Sequence, residues 1–537
     1  QYAIEKYGQD RVAHIVTFAT IKAKQAIRDA ARVLGLPFSS GDRVAKLMPP
    51  MILGNTATIS ECLSLDEENT SGYSKEFYSA SEELRKQYKN DEEAKQIIDI
   101  ALGLEGLRRQ DGIHAAAIVI SPDTITKFLP IQQKGSNAEI VTQYEMHTVE
   151  QLGLLKMDFL GLRNLSIVDR TLELIGSESL DIDNLKLDDE KTFKLFAEGK
   201  MTGVFQLESR VAQSTSRSLK PKRFEDIVAL VALIRPGPLG AGMHNEFADR
   251  ANNRKEIEYL HSDLESILNE TYGVILYQEQ VMQIAEKIAG FNLQEADNLR
   301  VAMGKKIPKV MEEQRKKFTD GAVSNNYSEQ FAIELFDQIA YFAGYGFNKS
   351  HSVPYALLAY QTAYLKANYP AEYIAACLTA VKRDKDRTAI FLSEARDMGV
   401  KVSTPDVNLS SSDFTVNDNE ILFGLSAVRN VGDITADKIV FERESNGDFK
   451  SIEDFLSRID SRSLNKRGVE ALIQGGGLDK FGHTRKGMFD AVIDLIENAK
   501  ELKATKDNNQ ASLFPIEEAN STSINIKSAE WGKKELL

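Results

Sequence analysis

The sequence predicts an α+β protein of several domains, a small sheet followed by a large helical region. The chain of 537 residues is long enough for roughly three or four domains of ordinary size. β-type runs gather at Ala115–Ser121, Glu139–Tyr144 and Leu154–Leu160, separated by loop residues. From Gly161 to about Arg396 the apolar residues recur at helical spacing instead, with breaks at Arg235–Gly240 and Gly344–His351.

The chain opens in what reads as mid-helix at Gln1, with no initiator Met, charged leader or apolar signal core, and is expected to be cut from something longer. A β-like run, His14 to Phe18, precedes a helix from about Ile21 to Leu34 that stops at Gly35 and Pro37. On that helix Lys24, Arg28 and Arg32 sit at i, i+4 and i+8 and share one face. They form either a solvated stripe or a rail of cations spaced to meet phosphates. From Gly41 to Gln110 the pattern is helical and polar, and after Gly161 a helix is written by Leu165, Val168, Leu172 and Ile175. A β-like patch at Glu420–Leu425 leads into short helices with Gly-containing turns. Beyond about Lys503 the chain is polar and poor in large apolar residues, as in a linker or docking tail.

Hydrophobic residues make up 42% and charged residues 27% of the chain. No apolar run approaches the ~18 residues of a membrane span, so no membrane partner is expected. Cys62 and Cys377 lie far apart without CxxC or Cys/His companions, which argues against a disulfide framework or structural zinc and fits a reducing cytoplasm. The net charge of −13 excludes a surface that is basic throughout but leaves local clusters free to bind nucleic acid.

In LLKMDFLG, strand alternation puts Leu155, Met157 and Phe159 on one face and Lys156 with Asp158 on the other. Alone, such a pair is usually an edge-strand solubility device. In GYGFNKSHSVPYALLAYQT a Gly-punctuated loop feeds a helix expected to be capped by Ser350 or Ser352, with Pro354 in its first turn. The free amides and dipole there favour a phosphate, and Lys349 and His351 add donors. In ADNLRVAMGKK, Arg300 and Lys305 or Lys306 make a second candidate cradle, or an ordinary basic helix end. GLSAVRNVGDITADKIV suits a helix-hairpin-helix whose turn at Gly432, with Thr435 and Lys438, could grip a DNA backbone; a plain αα-turn has the same outline. Gln510, Leu513 and Phe514 in the polar tail form a string suited to docking in a partner's pocket.

Taken together, FLGLRNL, GVFQLESR, VALIRPGPL, TYGVILYQEQVMQIA, AMGKK and FAGYGFNKSHSVPYALLAYQTAYLKANYPAEY resemble the bacterial C-family replicative polymerases, the DNA polymerase III alpha-subunit family, along nearly the whole chain. The resemblance implies part of a nucleotidyltransferase-like palm at 1–19 and 112–160, a helical thumb inserted at 20–111 and mainly helical fingers at 161–400. It further implies distal fingers with the helix-hairpin-helix region at 401–500, and a linker with a clamp-binding motif at 501–537. Residue by residue, Asp158 matches a metal-binding carboxylate and Lys156 a palm lysine facing the triphosphate. Arg300 matches a fingers arginine, with Val301 where a second arginine often stands, and Asn348, Lys349, Ser350 and His351 match the nucleotide-facing loop. Gln510, Leu513 and Phe514 match the sliding-clamp motif.

The resemblance also implies primer-template DNA, deoxynucleoside triphosphates, a sliding clamp and other replicase subunits as partners, and two Mg²⁺ ions in an in-line nucleotidyl transfer. Family members place a paired Asp-x-Asp strand just upstream of the segment that here starts at Gln1. Asp158 alone supplies too few oxygen ligands for two ions, so the 537 residues by themselves are expected to be inactive. The alternative is a noncatalytic, clamp-tethered DNA-binding protein.

Overall fold

A computed structural model describes residues 1–51, 56–64, 74–134, 139–176, 180–240, 242–305, 308–343, 346–460, 462–508, 526 and 528–532. The chain divides into two compact units, Gln1–Leu162 and Arg163–Leu537.

The first unit is built on a five-stranded sheet of order β3-β4-β1-β2-β5, formed by β1 (Val12–Thr20), β2 (Arg108–Ile120), β3 (Ile131–Lys134), β4 (Glu139–Glu145) and β5 (Leu155–Asp158). β1 runs antiparallel to β2 and parallel to β4, and β5 pairs antiparallel with the far end of β2. Ala13, Ile15, Ala117, Val119, Leu129, Val149 and Leu154 form the core against it.

The small sheet is as the apolar runs lead one to expect, but β2 begins seven residues before Ala115. Its first four residues, Arg108–Asp111, are polar and exposed, so they carry no apolar alternation; pairing with Phe18–Thr20 of β1 holds them extended. β3, Ile131–Lys134, is missed for the same reason: its sequence IQQK offers almost no apolar signal.

Between Thr20 and Arg108, which face each other across the ladder, the chain makes a helical excursion. Its core gathers Ala26, Ile27, Ala30, Val44, Ile59, Cys62, Ile97 and Ala101. The Ala23–Val33 and Phe38–Ala45 helices approach so closely that a Cβ on Gly41 would stand 2.8 Å from that of Ala31. Only glycine fits there.

In the second unit the 20-residue helix Lys349–Asn368 is buried along most of its length, which explains why it shows no single apolar stripe. It packs on the Phe224–Leu233 and Glu190–Glu198 helices. Lys366 near its end is enclosed and donates to the carbonyls of Lys200 and Thr202 (2.7 and 2.8 Å) and to Glu394 (2.6 Å). Burial pulls this ammonium below the ordinary lysine range, with Glu394 opposing.

A second core joins the helices Gln278–Ala289, Leu293–Lys305, Pro308–Ser324 and Glu329–Ala343. A third, built around Val407, Leu425, Ile439, Phe455 and Leu472, underlies residues 407–495 beside a three-stranded sheet of order β6-β8-β7. Its strands are β6 (Lys401–Val402), β7 (Thr415–Asn417) and β8 (Glu420–Leu422).

Candidate functional site

β5 aligns on β2 with Ala117 opposite Asp158 and Val119 opposite Lys156. As alternation requires, Lys156 and Asp158 share a face, and the ammonium reaches the carboxylate at 2.7 Å. The opposite face, carrying Leu155, Met157 and Phe159, is exposed as well. β5 is an edge strand, and Phe159 borders an apolar hollow of about 310 Å³ with Tyr2, His14, Ala116 and Ile118.

The start of the Lys349–Asn368 helix differs from expectation in three respects. Its cap is Asn348, whose side chain accepts from the His351 amide at 3.0 Å, and not Ser350 or Ser352. Asn caps as well as Ser does. Ser350 lies in the first turn, and buried Ser352 donates its hydroxyl to the Val228 carbonyl at 2.7 Å. Pro354 stands beyond the first turn, inside the helix.

The amides expected to be open to a phosphate already face a carboxylate. Lys349 N donates to both oxygens of Glu279 (3.0 and 2.9 Å) and Ser350 N to one of them at 3.4 Å. The Lys349 ammonium contacts both oxygens of Glu270 at 2.9 and 2.7 Å. The His351 ring rests between Phe347 and Tyr355. Phe347 is held in turn by a bridge to Tyr277, with Gln278 N donating to its carbonyl and its own N–H donating to Leu276. Burial pushes the Tyr277 phenol well above its ordinary range. Glu270 and Glu279 therefore belong to this locus, which local spacing could not show because they lie 79 and 70 residues before Lys349.

Arg300 sits on the Leu293–Lys305 helix with its guanidinium turned to Asp297 at 2.8 Å. The side chain of Lys305 and the whole of Lys306 lie outside the described residues.

The cationic rail is partly spent within the fold. Arg28 donates twice to Asp42 (3.1 and 2.8 Å), Arg32 meets Asp29 at 2.8 Å, and Lys24 is exposed. Lys46, and after it Arg28, hold the Asp42 carboxyl below its ordinary range.

At the candidate hairpin, Gly432 caps the Asp433–Asn446 helix. Thr435 is buried and its hydroxyl donates to the Ser463 carbonyl at 2.7 Å, which ties the two halves of the motif together. Lys438 reaches the Ser463 hydroxyl at 2.7 Å and remains exposed. Sequence reasoning missed a second turn. Asn465 caps the Lys466–Gly475 helix, and Gly468 comes so near Asn430 that a Cβ would lie 3.3 Å from its carbonyl oxygen. The cap followed by glycine is the signal that could have found it. Asp433 is gripped by Lys382 and Arg383, both at 2.5 Å. Gln510, Leu513 and Phe514 lie outside the described residues.

Comparison with known proteins fits this division. Residues 1–161 match the family model of the bacterial DNA polymerase III alpha NTPase domain, 164–326 that of the alpha-subunit finger domain, and 399–488 a helix-hairpin-helix motif. The first boundary coincides with the break between the two structural units. Among curated relatives, DNA polymerase III subunit alpha of Mycobacterium tuberculosis is 41% identical over 96% of this chain and 44% of its own length. That of Thermus aquaticus is 43% identical over 96% and 41%, and that of Escherichia coli K12 41% identical over 96% and 44%. These relatives are, by name, subunits of a bacterial DNA polymerase, and that is the class of protein the chain is similar to. Within that class, the chain belongs to the DNA polymerase III alpha-subunit family. It spans less than half the length of the curated relatives it matches.

Proposed function

We propose that this chain serves template-directed DNA synthesis as the palm, thumb and fingers portion of a replicative alpha subunit, transferring nucleotidyl groups to a primer 3′-hydroxyl. One observation carries the reading: relatives named DNA polymerase III subunit alpha align along 96% of the chain at 41–43% identity. In this reading Lys156 and Asp158 face the reacting phosphates. Lys349, Ser350 and His351, with Arg300 and Lys305, bind the triphosphate, while Asn348 fixes the helix start. Lys24, Arg28 and Arg32 track the duplex backbone, as do the Gly432 turn and Lys438, and Gln510, Leu513 and Phe514 tether the chain to a sliding clamp among cytoplasmic replicase subunits.

A pair of Mg²⁺ ions would supply charge neutralisation at the attacking and leaving oxygens. The described residues do not fit such a pair. Asp158 is a single carboxylate already engaged by Lys156 at 2.7 Å, and no three His, Cys, Asp or Glu residues among those described gather as a metal site requires. We infer that the 537-residue chain alone does not extend a primer. Robust Mg²⁺-dependent extension by the purified chain would overturn this. The same shortfall favours a second reading, a noncatalytic clamp-tethered DNA-binding protein, and nucleotide binding separates the two because only the polymerase reading requires it.

The nucleotide assignment is tested by titrating a fluorescent deoxynucleoside triphosphate. Lys349→Ala should weaken binding by roughly tenfold or more, since a charge-assisted phosphate contact is lost; equal affinity would sink the assignment. Lys438→Glu should weaken duplex binding equally on all sequences and lower its salt dependence. A loss confined to one sequence would speak against a backbone contact.

A further inference from the structure

A cleft of about 1130 Å³ opens between the Glu329–Ala343 helix and residues 258–275 of the same unit. Its floor is apolar, with Leu264, Leu268, Val274, Ile275 and Leu335 buried beneath it. One wall is a helical face: Gln330, Ile333, Glu334, Asp337, Gln338 and Tyr341 recur at i, i+3, i+4, i+7, i+8 and i+11 and are all exposed. That face runs about 17 Å at 1.5 Å per residue. Ile333 and Tyr341 present apolar surface along it, 38% and 56% exposed, and Leu260 adds more at 37%.

The charges around this floor are unbalanced. Glu246 is met by Arg250 at 2.7 Å and Lys255 at 3.0 Å, and Asp337 by Arg315 at 2.5 Å. Glu258, Glu329 and Glu334 have no ion pair among the described residues. Arg250, the one cation among the described lining residues, is turned to Glu246 and to the Tyr272 carbonyl. The free carboxylates do not converge: among the described residues no three acidic or His/Cys groups come together as a metal site needs. Anions spread along an apolar trough suit cations spread along an apolar ridge, and they repel a nucleic-acid backbone.

We propose that this cleft docks a basic amphipathic helix of a partner protein. The helix seats its apolar stripe against Ile333, Tyr341 and Leu260 while its lysines or arginines meet Glu258, Glu329 and Glu334. None of the cleft's lining residues is among the proposed nucleotide or DNA contacts, so the interaction is tested independently of them.

The test uses the full chain and three fluorescent synthetic peptides of about 14 residues, long enough for the ~17 Å face. One is a Leu/Lys amphipathic helix, one has the same composition scrambled to destroy its apolar stripe, and one has Glu in place of Lys. Anisotropy should show the amphipathic basic peptide binding at least about tenfold tighter than either control, with affinity falling as salt rises. Ile333→Asp should cut that affinity about tenfold, and Glu258→Lys/Glu329→Lys/Glu334→Lys should do likewise. Both variants should keep the parent's melting temperature, since the altered side chains are exposed. Equal binding of the basic and scrambled peptides, or wild-type affinity in both variants, would overturn the proposal. So would sedimentation showing that the chain pairs with itself through this face and that Ile333→Asp abolishes the pairing, because the occupant would then be a second copy.

Discussion

The edge strand Leu155–Asp158 and the helix Lys349–Asn368 both set lysines against carboxylates, but by opposite routes. Lys156 finds Asp158 two residues away on its own strand, with the carboxylate half exposed. Lys349 finds Glu270 across 79 residues of sequence, and at the far end of the same helix Lys366 finds Glu394 and two carbonyls inside the protein. A pair written by local spacing is free to form in any context and weighs little on the fold. A pair assembled by tertiary packing forms only when the fold does, so its loss is felt by the fold.

The largest effect expected from this difference is at Lys366. Lys366→Ala strands Glu394 and the carbonyls of Lys200 and Thr202 without their donor, and should cost about 3–5 kcal/mol in urea unfolding. A cost below about 1 kcal/mol would break the comparison, because the buried lysine would then weigh no more than a surface pair.

Next in size is Glu279, which accepts from the amides of Lys349 and Ser350 much as a capping side chain does. Glu279→Ala should cost about 1 kcal/mol. If the helix start takes a triphosphate, the same change should tighten nucleotide binding, because the resident carboxylate no longer competes with the phosphate. Weaker binding would mean that Glu279 shapes the loop instead of occupying the anion's place.

A smaller effect is expected at Asp433, whose carboxyl is held below its ordinary value of 3.8 by Lys382 first and Arg383 second. A carboxyl lowered on folding stabilises the protein above that ordinary value, and the contribution is lost as pH falls from about 4 through the folded value. Asp433→Asn should therefore lower the denaturation midpoint most at neutral pH, where the ion pairs with Lys382 and Arg383 are lost, and converge with the parent as pH falls below about 4, which flattens the acid slope. An unchanged acid slope would place the acid sensitivity in other carboxylates.

The same contrast explains what could be read from the sequence. Strands with apolar alternation, helices with periodic stripes and the Lys156–Asp158 face follow from short-range chemistry and were legible. The polar start of β2, Arg108–Asp111, was not, because its conformation is imposed by β1. Ser350 and Ser352 are reasonable caps on composition, yet the tertiary contact of Ser352 with Val228 and the position of Asn348 decide otherwise. Glu270 and Glu279 carry no mark of their role until the Tyr277–Phe347 bridge brings their segment beside Lys349. Thr435 matched the hairpin pattern, and only its bond to Ser463 shows that its hydroxyl is already used.

The smallest structural effect belongs to Asp158, and it is the most informative for function. Its ion pair with Lys156 is exposed and local, so Asp158→Asn should shift stability by less than about 1 kcal/mol. A carboxylate held on an exposed edge strand at so little benefit to the fold is retained for another reason or for none. In the polymerase reading the reason is chemistry, and Asp158→Asn should leave nucleotide affinity in the absence of metal nearly unchanged while removing any gain in that affinity on adding Mg²⁺. If the unaltered chain shows no such gain, one carboxylate is insufficient to hold an ion, as the donor count implies. A gain that survives in Asp158→Asn would locate the metal on the nucleotide's own phosphates and leave Asp158 as a solubility device on an edge strand.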